Sequence, residues 1–245
     1  MSEATPTVVL VHGAFADASS WNGVIPLLQA KGMTVIAPAN PLRGIAHDSD
    51  YIASVFAQIE GPVLAVGHSY GGAVITNAAT DAKNVVGLVY VAAFAPDEGE
   101  TLGAVEAGSK DSVLNSALVP RHYPTADGGQ ATEFYIDPPK AREAFAGDLS
   151  DQQAGLIAAT QRPVSELAFS EANGPPAWKH LSSWAVVATG DKAAGADVVR
   201  SMAERAAATI TEIEGSHVIM VSQPQAVTEV ILAAVAAVAP VPAGV

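Results

Sequence analysis

Cysteine is absent from the 245 residues, which excludes disulfides, thiolate metal sites and a cysteine nucleophile in any compartment. Basic residues are scarce, with 12 Lys+Arg against 25 Asp+Glu and a formal net charge of −13. So acidic a surface repels phosphate backbones and anionic lipid, so neither nucleic acid nor a membrane surface is an expected partner. Long apolar runs are missing too. The longest, Val230–Ala239, falls well short of the roughly 18 residues a membrane helix needs and is followed by Pro240 and Pro242. Met1–Pro6 carries no basic segment, and Val8–Val11 is too short for the apolar part of a secretory signal. A cytoplasmic protein is therefore expected. Phosphate-cradling glycine motifs and metal-spaced histidine motifs are also lacking, so no cofactor and no metal are implied.

What the chain does have is apolar material, 49% of residues against 15% charged. That suits one sizeable core, and the length fits a single large α/β domain. Short, Val-rich, consecutively apolar runs at Thr7–His12, Thr34–Pro38, Val63–Gly67 and Val85–Val91 predict buried parallel strands. Helical stretches near Ser19–Lys31, Ser49–Ile59 and Gly71–Asp81 lie between them, with Gly32 closing the first. After Phe94 the rhythm stops. Residues 95–181 hold Pro, Gly and polar residues, with helical patches at Pro139–Ala146 and Ser150–Thr160 and nothing that reads as a buried strand. Such a length is improbable as bare loop, so it is expected to be a small helical lid. The alternation resumes with strand Trp184–Thr189, helix Ala196–Arg205, strand Thr209–Ile213 and helix Pro224–Val238. The expected architecture is a doubly wound six-stranded parallel sheet. Residues 1–94 and 182–245 form its core, and 95–181 are inserted.

The sharpest motif is Gly67-His68-Ser69-Tyr70-Gly71-Gly72, which follows an apolar strand and opens a helix. Gly-x-Ser-x-Gly in that setting is a nucleophile elbow: a tight turn lifts the serine hydroxyl clear of the sheet's carboxyl edge. The glycines allow strand and helix to approach, Gly72 by relieving the helix's first turn. The competing explanation is an ordinary turn with Ser69 as helix N-cap. A second motif, Val11-His12-Gly13-Ala14-Phe15, ends the first strand. Acyl transfer needs two backbone N–H donors for the developing oxyanion, and Tyr70 and this loop can supply them. His12 reads as a brace of the loop rather than a base.

A serine hydroxyl needs a general base near neutrality, which means histidine. Of the six histidines only His217, in Gly215-Ser216-His217, follows the final strand, where the order serine, acid, histidine puts it. The acid is then expected at Asp191, directly after Trp184–Ala188. Asp197 reads as an N-cap, and Glu212 and Glu214 as solvent-facing.

With these residues assembled, the chain resembles the α/β-hydrolase superfamily, specifically its small cofactor-free bacterial hydrolases similar to plant methylesterases and hydroxynitrile lyases. The likeness runs over nearly the whole chain, through Val11-His12-Gly13-Ala14 with Ser20-Trp21, the Ser69 elbow, Ala188-Thr189-Gly190-Asp191 and Ser216-His217. It implies the α/β-hydrolase fold with strand order 2-1-3-4-5-6. It also implies a triad of Ser69, Asp191 and His217, with oxyanion donors at the N–H groups of Ala14 and Tyr70. The chain departs from the family's Ile-Pro after the acid, having Ala193-Ala194-Gly195. Ser69 stands where dehalogenases and epoxide hydrolases carry aspartate and dienelactone hydrolases cysteine. Val218 and Gly13 replace the two best markers of hydroxynitrile lyases.

The reaction implied is hydrolysis of a small, largely apolar carboxylic ester through an acyl-enzyme, with Phe15, Tyr70, Phe94 and Trp178 as expected substrate-lining residues. Lactone, thioester, amide or carbon–carbon cleavage could use the same triad. A ligand receptor without turnover is the alternative from another class. Oligomeric state is not legible.

Overall fold

In the computed structural model, which describes residues 5–239, four of the five apolar runs form strands buried on both faces, and the run at Thr34–Pro38 forms a short half-buried one. The first half alternates β1 (Thr7–Val11), α1 (Ile25–Ala30), β2 (Val35–Ile36), α2 (Ile45–Ala57), β3 (Val63–His68), α3 (Tyr70–Ala78) and β4 (Val85–Val91). An insertion follows: α4 (Leu102–Ala107), β5 (Leu118–Pro124), β6 (Gln130–Ile136), α5 (Ala141–Phe145), α6 (Asp151–Thr160), β7 (Val164–Ser165) and α7 (Leu167–Ser170). The alternation resumes through β8 (Ser183–Ala188), α8 (Ala196–Arg205), β9 (Thr209–Ile213), α9 (Ile219–Ser222) and α10 (Pro224–Val238). Six strands join in one all-parallel sheet ordered β2-β1-β3-β4-β8-β9. With the insertion's own strands set aside, this is the expected 2-1-3-4-5-6.

The strands are apolar at consecutive positions because successive side chains enter two different cores. Val9, Val11, Val63, Ala65, Leu88, Tyr90, Ala185 and Val187 point to the face covered by α2, α3, α8 and the insertion. Their neighbours Val8, Leu10, Leu64, Val66, Val89, Val91, Trp184 and Val186 point to the other, under α1 and α10. Each Val or Leu side chain among them, fully withdrawn from water, contributes about 1.5–3 kcal/mol. The Ala- and Val-rich α10 packs on β4 and β8. Among the described residues no helix is long and apolar enough to cross a membrane. Pro240 and Pro242 lie outside the described residues.

Three differences from the sequence reading have local causes. The stretch Ser19–Lys31 is not one helix but a 3-10 turn at Ala18–Trp21 followed by α1. Pro26, near the start of α1, has no N–H to extend a helix from upstream. Helix α2 begins at Ile45 rather than Ser49, after Gly44 at φ 145°. The largest difference is in the insertion, which is not helical alone. It also carries a three-stranded antiparallel sheet, β5-β6-β7. β5 is mostly exposed or half-buried and includes Pro120 and Pro124, so no apolar run betrayed it. The turn from β5 to β6 contains Asp127-Gly128-Gly129, with Gly128 at φ 84°. That Asp-Gly was the available hairpin signal.

The order of strands reverses between β1 and β3, so the loops at their carboxyl ends diverge and open a crevice there.

Candidate active site

Ser69 follows β3 at that crevice, with φ 52° and ψ −125°, a strained conformation for a residue with a side chain. The strain is held by hydrogen bonds on every side. Ser69 N–H donates to Val91 O at 3.3 Å, and its carbonyl accepts from Gly72 N at 2.9 Å and Phe94 N at 3.2 Å. Although Ser69 occupies the N-cap position of α3, its side chain makes no capping hydrogen bond. The ordinary-turn explanation therefore loses its reason for a serine. A Cβ on Gly67 would lie 2.5 Å from Gly71 O, and one on Gly13 2.6 Å from the Cβ of Ser69 itself. A Cβ on Gly72 would lie 2.5 Å from Phe94 O and 2.7 Å from the Cβ of Ala93, so this glycine also lets α3 approach the loop after β4.

Asp191 and His217 arrive on the loops after β8 and β9. His217 Nδ1 lies 2.8 Å from Asp191 Oδ2, and both side chains are buried. The other carboxylate oxygen, Oδ1, accepts from Ala193 N at 2.8 Å and Ala194 N at 3.1 Å. A carboxylate so placed fixes the proton of His217 on Nδ1 and leaves the Nε2 lone pair free. Ser69 and His217 line one small cavity of about 10 Å³, together with Ala14, Phe15, Tyr70 and Phe94. Asp191 sits behind His217.

Around this pair, two histidines act as braces. His12 Nδ1 donates to Gly13 O at 2.9 Å while its Nε2 accepts from Asn40 N at 2.9 Å. Burial holds its pKa below the ordinary value. His68 Nε2 donates to the carbonyl of His217 at 2.9 Å. Burial, and then the neighbouring His217, push its pKa well down, so it is a neutral donor. The hydroxyl of Tyr70 donates to Asp48 Oδ2 at 2.8 Å.

Two expected roles are corrected. Trp178 does not line the cavity. Its indole donates to Pro96 O at 3.0 Å and its ring lies near Lys179 and Arg205. Asp197 is not an N-cap, since Gly195 holds that position in α8. Its carboxylate instead accepts from Ser109 Oγ at 2.5 Å and Lys110 N at 2.8 Å, both in the insertion.

The insertion also supplies wall residues that sequence reasoning missed, namely Leu102, Leu114, Phe145 and Phe169. Phe145 stacks 5.0 Å from the His217 ring and edge-on to Phe15 at 6.1 Å. Its spacing from Ala141 and Ala144 on one helix face was the available signal. Asp148 was missed as well: it accepts a hydrogen bond from Ser216 Oγ, immediately before His217. No sequence pattern marks that pairing. Among the described residues no three His, Asp or Glu side chains gather into a metal-binding group.

Comparisons with known proteins place the chain. The pyrethroid hydrolase of Sphingobium wenxiniae is 33% identical over 106 residues, 38% of this chain and 38% of that protein. The carbendazim hydrolyzing esterase of a Nocardioides species is 33% identical over 110 residues, 40% of this chain and 46% of that protein. The matched stretches thus span less than half the length of either relative. The solved structure of the methylesterase MES16 from Arabidopsis shares the fold at 19% identity, with a TM-score of 0.77 over 94% of this chain and 99% of that one. The profile of the alpha/beta hydrolase family matches residues 8–230, nearly the whole described chain. This protein belongs to the alpha/beta hydrolase family.

Proposed function

We propose that the protein is a serine hydrolase cleaving a small, largely apolar carboxylic ester through an acyl-enzyme. One observation carries the proposal: a buried Asp191–His217 pair beside a strained serine whose hydroxyl caps nothing. The names of the two curated relatives, a pyrethroid hydrolase and an esterase, support ester cleavage.

The chemistry follows from the groups. Ser69 Oγ bonds to the ester carbonyl carbon while His217 Nε2 takes the hydroxyl proton, and Asp191 stabilises the imidazolium. The N–H groups of Ala14 and Tyr70 hold the oxyanion. As the tetrahedral species collapses, the carbon–alkoxide bond breaks and His217 returns the proton to the departing oxygen. Water, deprotonated by the same imidazole, then attacks the acyl group, and carboxylic acid leaves as Ser69 recovers its proton. Residues 95–181 serve as the lid, walling the reacting carbonyl with apolar side chains and keeping bulk water out.

A serine-directed phosphonate tests the reading. It should add one label per chain at Ser69, found by mass spectrometry, and abolish hydrolysis of p-nitrophenyl acetate. Ser69→Ala should keep the fold and lose turnover by about 10⁶-fold, the scale for loss of a nucleophile. A label elsewhere, or an active Ser69→Ala protein, ends the proposal.

A further inference from the structure

The cavity beside Ser69, about 10 Å³, holds roughly one water molecule. Most of an ester must lie elsewhere. A second cavity of about 260 Å³ adjoins it, and the two share Phe15 and Phe145 as a common wall. This outer cavity is framed by the turn after β1, by α6, and by Val218 and Val221 just beyond His217.

Helix α6 is built for this arrangement. Ala154 and Ala158, four apart, bury one face against the core. Gln153, Leu156, Ile157 and Thr160 fall at i, i+3, i+4 and i+7 and form a second face, which lines the outer cavity. Leu156 is 64% exposed there, one of the few large apolar side chains left to solvent. A helix that turns a second face to a cavity, with Leu156 and Ile157 at its middle and Gln153 and Thr160 at its ends, has a ligand to meet.

The chemistry says which half of the ester that is. His217 must return a proton to the departing alkoxide, so the alcohol has to leave on the histidine side of Ser69. The outer cavity reaches the base through Val218, the residue after His217, and through Phe145, whose ring centroid lies 5.0 Å from that of His217. Leu102, Leu114 and Phe169 line the inner cavity and not the outer one and are left to the acyl group. The only charged group of the outer cavity is Asp17, whose carboxylate accepts from Ser19 N at 2.7 Å. A single negative charge at the rim disfavours an anionic alcohol.

We propose that the outer cavity is the alcohol subsite, that it takes an uncharged branched or single-ring aromatic alcohol, and that Phe145 is the gate between it and Ser69. The proposal rests on the serine-hydrolase reading above. The edge-to-face contact of Phe145 with Phe15 closes the passage, and an ester reaches Ser69 only when that ring swings aside.

Filling the cavity tests it. Ile157→Trp should lower the ratio of kcat/KM for phenyl acetate to that for ethyl acetate by about tenfold or more, the scale of misfit in an apolar pocket. The ratio for p-nitrophenyl butyrate to p-nitrophenyl acetate, which varies only the acyl half, should move less than about twofold on the same scale. Leu156→Trp, at an exposed rim position, repeats the measurement should Ile157→Trp fail to fold. Equal loss with both acetates, or a change confined to the acyl series, overturns the alcohol subsite while leaving the hydrolase reading intact. No turnover of any of these esters, with no phosphonate label on Ser69, removes both.

Discussion

The sheet and the insertion build the site by different means. Each reacting group proposed on the sheet side stands in a short turn after a strand, and backbone hydrogen bonds fix it: three at Ser69, two at the Asp191 carboxylate. The insertion contributes helix faces and loop side chains, mostly apolar. The two regions are nonetheless tied at the loops that carry Asp191 and His217. Ser112 Oγ donates to Ala193 O at 2.7 Å and Val113 N to Lys192 O at 2.8 Å, both on the acid loop. Asp148 holds Ser216 on the base loop. A lid that only selected substrate would have no need of those ties. The comparison teaches that the proposed reacting groups stand at strand ends and that the insertion holds the loops that carry two of them.

After the loss of the Ser69 nucleophile, the largest effect expected on the sheet side is at Asp191. Asp191→Asn should cut kcat by ~10⁴-fold, because an amide at that position favours the wrong imidazole tautomer. Asp197→Asn should do far less. It removes charge from an acceptor of Ser109 and Lys110, weakening a tie of about 1 kcal/mol or so. Steady-state kinetics on p-nitrophenyl acetate compare the two, and an inactive Asp197→Asn with an active Asp191→Asn would reverse the assignment.

On the insertion side the sharpest probe is Asp148. Asp148→Ala frees the Ser216 hydroxyl and loosens the loop that aims His217. A misplacement of about 1 Å can lower a rate by 10²-fold, so a loss of kcat of roughly tenfold with little change in KM is expected. Ser216→Ala should give a similar loss, and the double variant no more than either, since both remove one interaction. Additive losses would mean that the two side chains act separately.

The same contrast explains what was legible beforehand. Ser69 and Asp191 each follow a consecutive apolar run, His217 follows the last strand, Thr209–Ile213, and glycines mark all three turns, so strand ends and candidate chemistry could be read together. Helix α8 and helix α10 were legible to the residue because α8 alternates polar and buried positions and α10 opens on Pro224. The hairpin of β5 and β6 was not, since β5 has no buried residue and β6 is mostly half-buried, so neither carries a consecutive apolar run. Phe145, Asp148 and the Asp197 tie escaped for another reason. They are long-range pairings across 68 residues or more in the case of Asp148–Ser216 and Asp197–Ser109, and local pattern does not encode which distant loop a side chain will meet. Trp178 erred the other way: an aromatic near the insertion's end looked like lining but closes a seam.

A smaller effect concerns stability and falls on the sheet side alone. Burial lowers the pKa of His12 and, more strongly, of His68 from the ordinary 6.5. His68 Nδ1 also has no hydrogen-bond partner among the described residues, so a proton added there would be unstabilised. Below 6.5 the unfolded chain binds protons that the folded one refuses. Stability therefore rises with pH, is present in full above about 6.5, and is lost as pH falls below it. Thermal unfolding followed from about pH 7.5 to 5 should show the decline, and His68→Asn should flatten it. An unchanged slope in that variant would assign the acid sensitivity to other groups.

The smallest effect is expected at Trp178, and it separates the insertion's two jobs. Its indole N–H is spent on Pro96 O, and Arg205, which lies 5.9 Å from its ring, is itself bound to Glu100 at 2.6 Å. The residue thus pins the start of the insertion to α8, at a distance from the walls that meet substrate. Trp178→Phe keeps the ring and drops one hydrogen bond, a loss of about 1 kcal/mol of stability. Relative rates across p-nitrophenyl acetate, butyrate and octanoate should stay within about twofold of the parent, since no wall of either cavity has moved. Phe145→Leu, measured on the same three esters, should shift those rates, because that side chain borders both cavities. A Trp178→Phe protein with altered chain-length preference would return the residue to the substrate wall and erase the distinction between seam and lining.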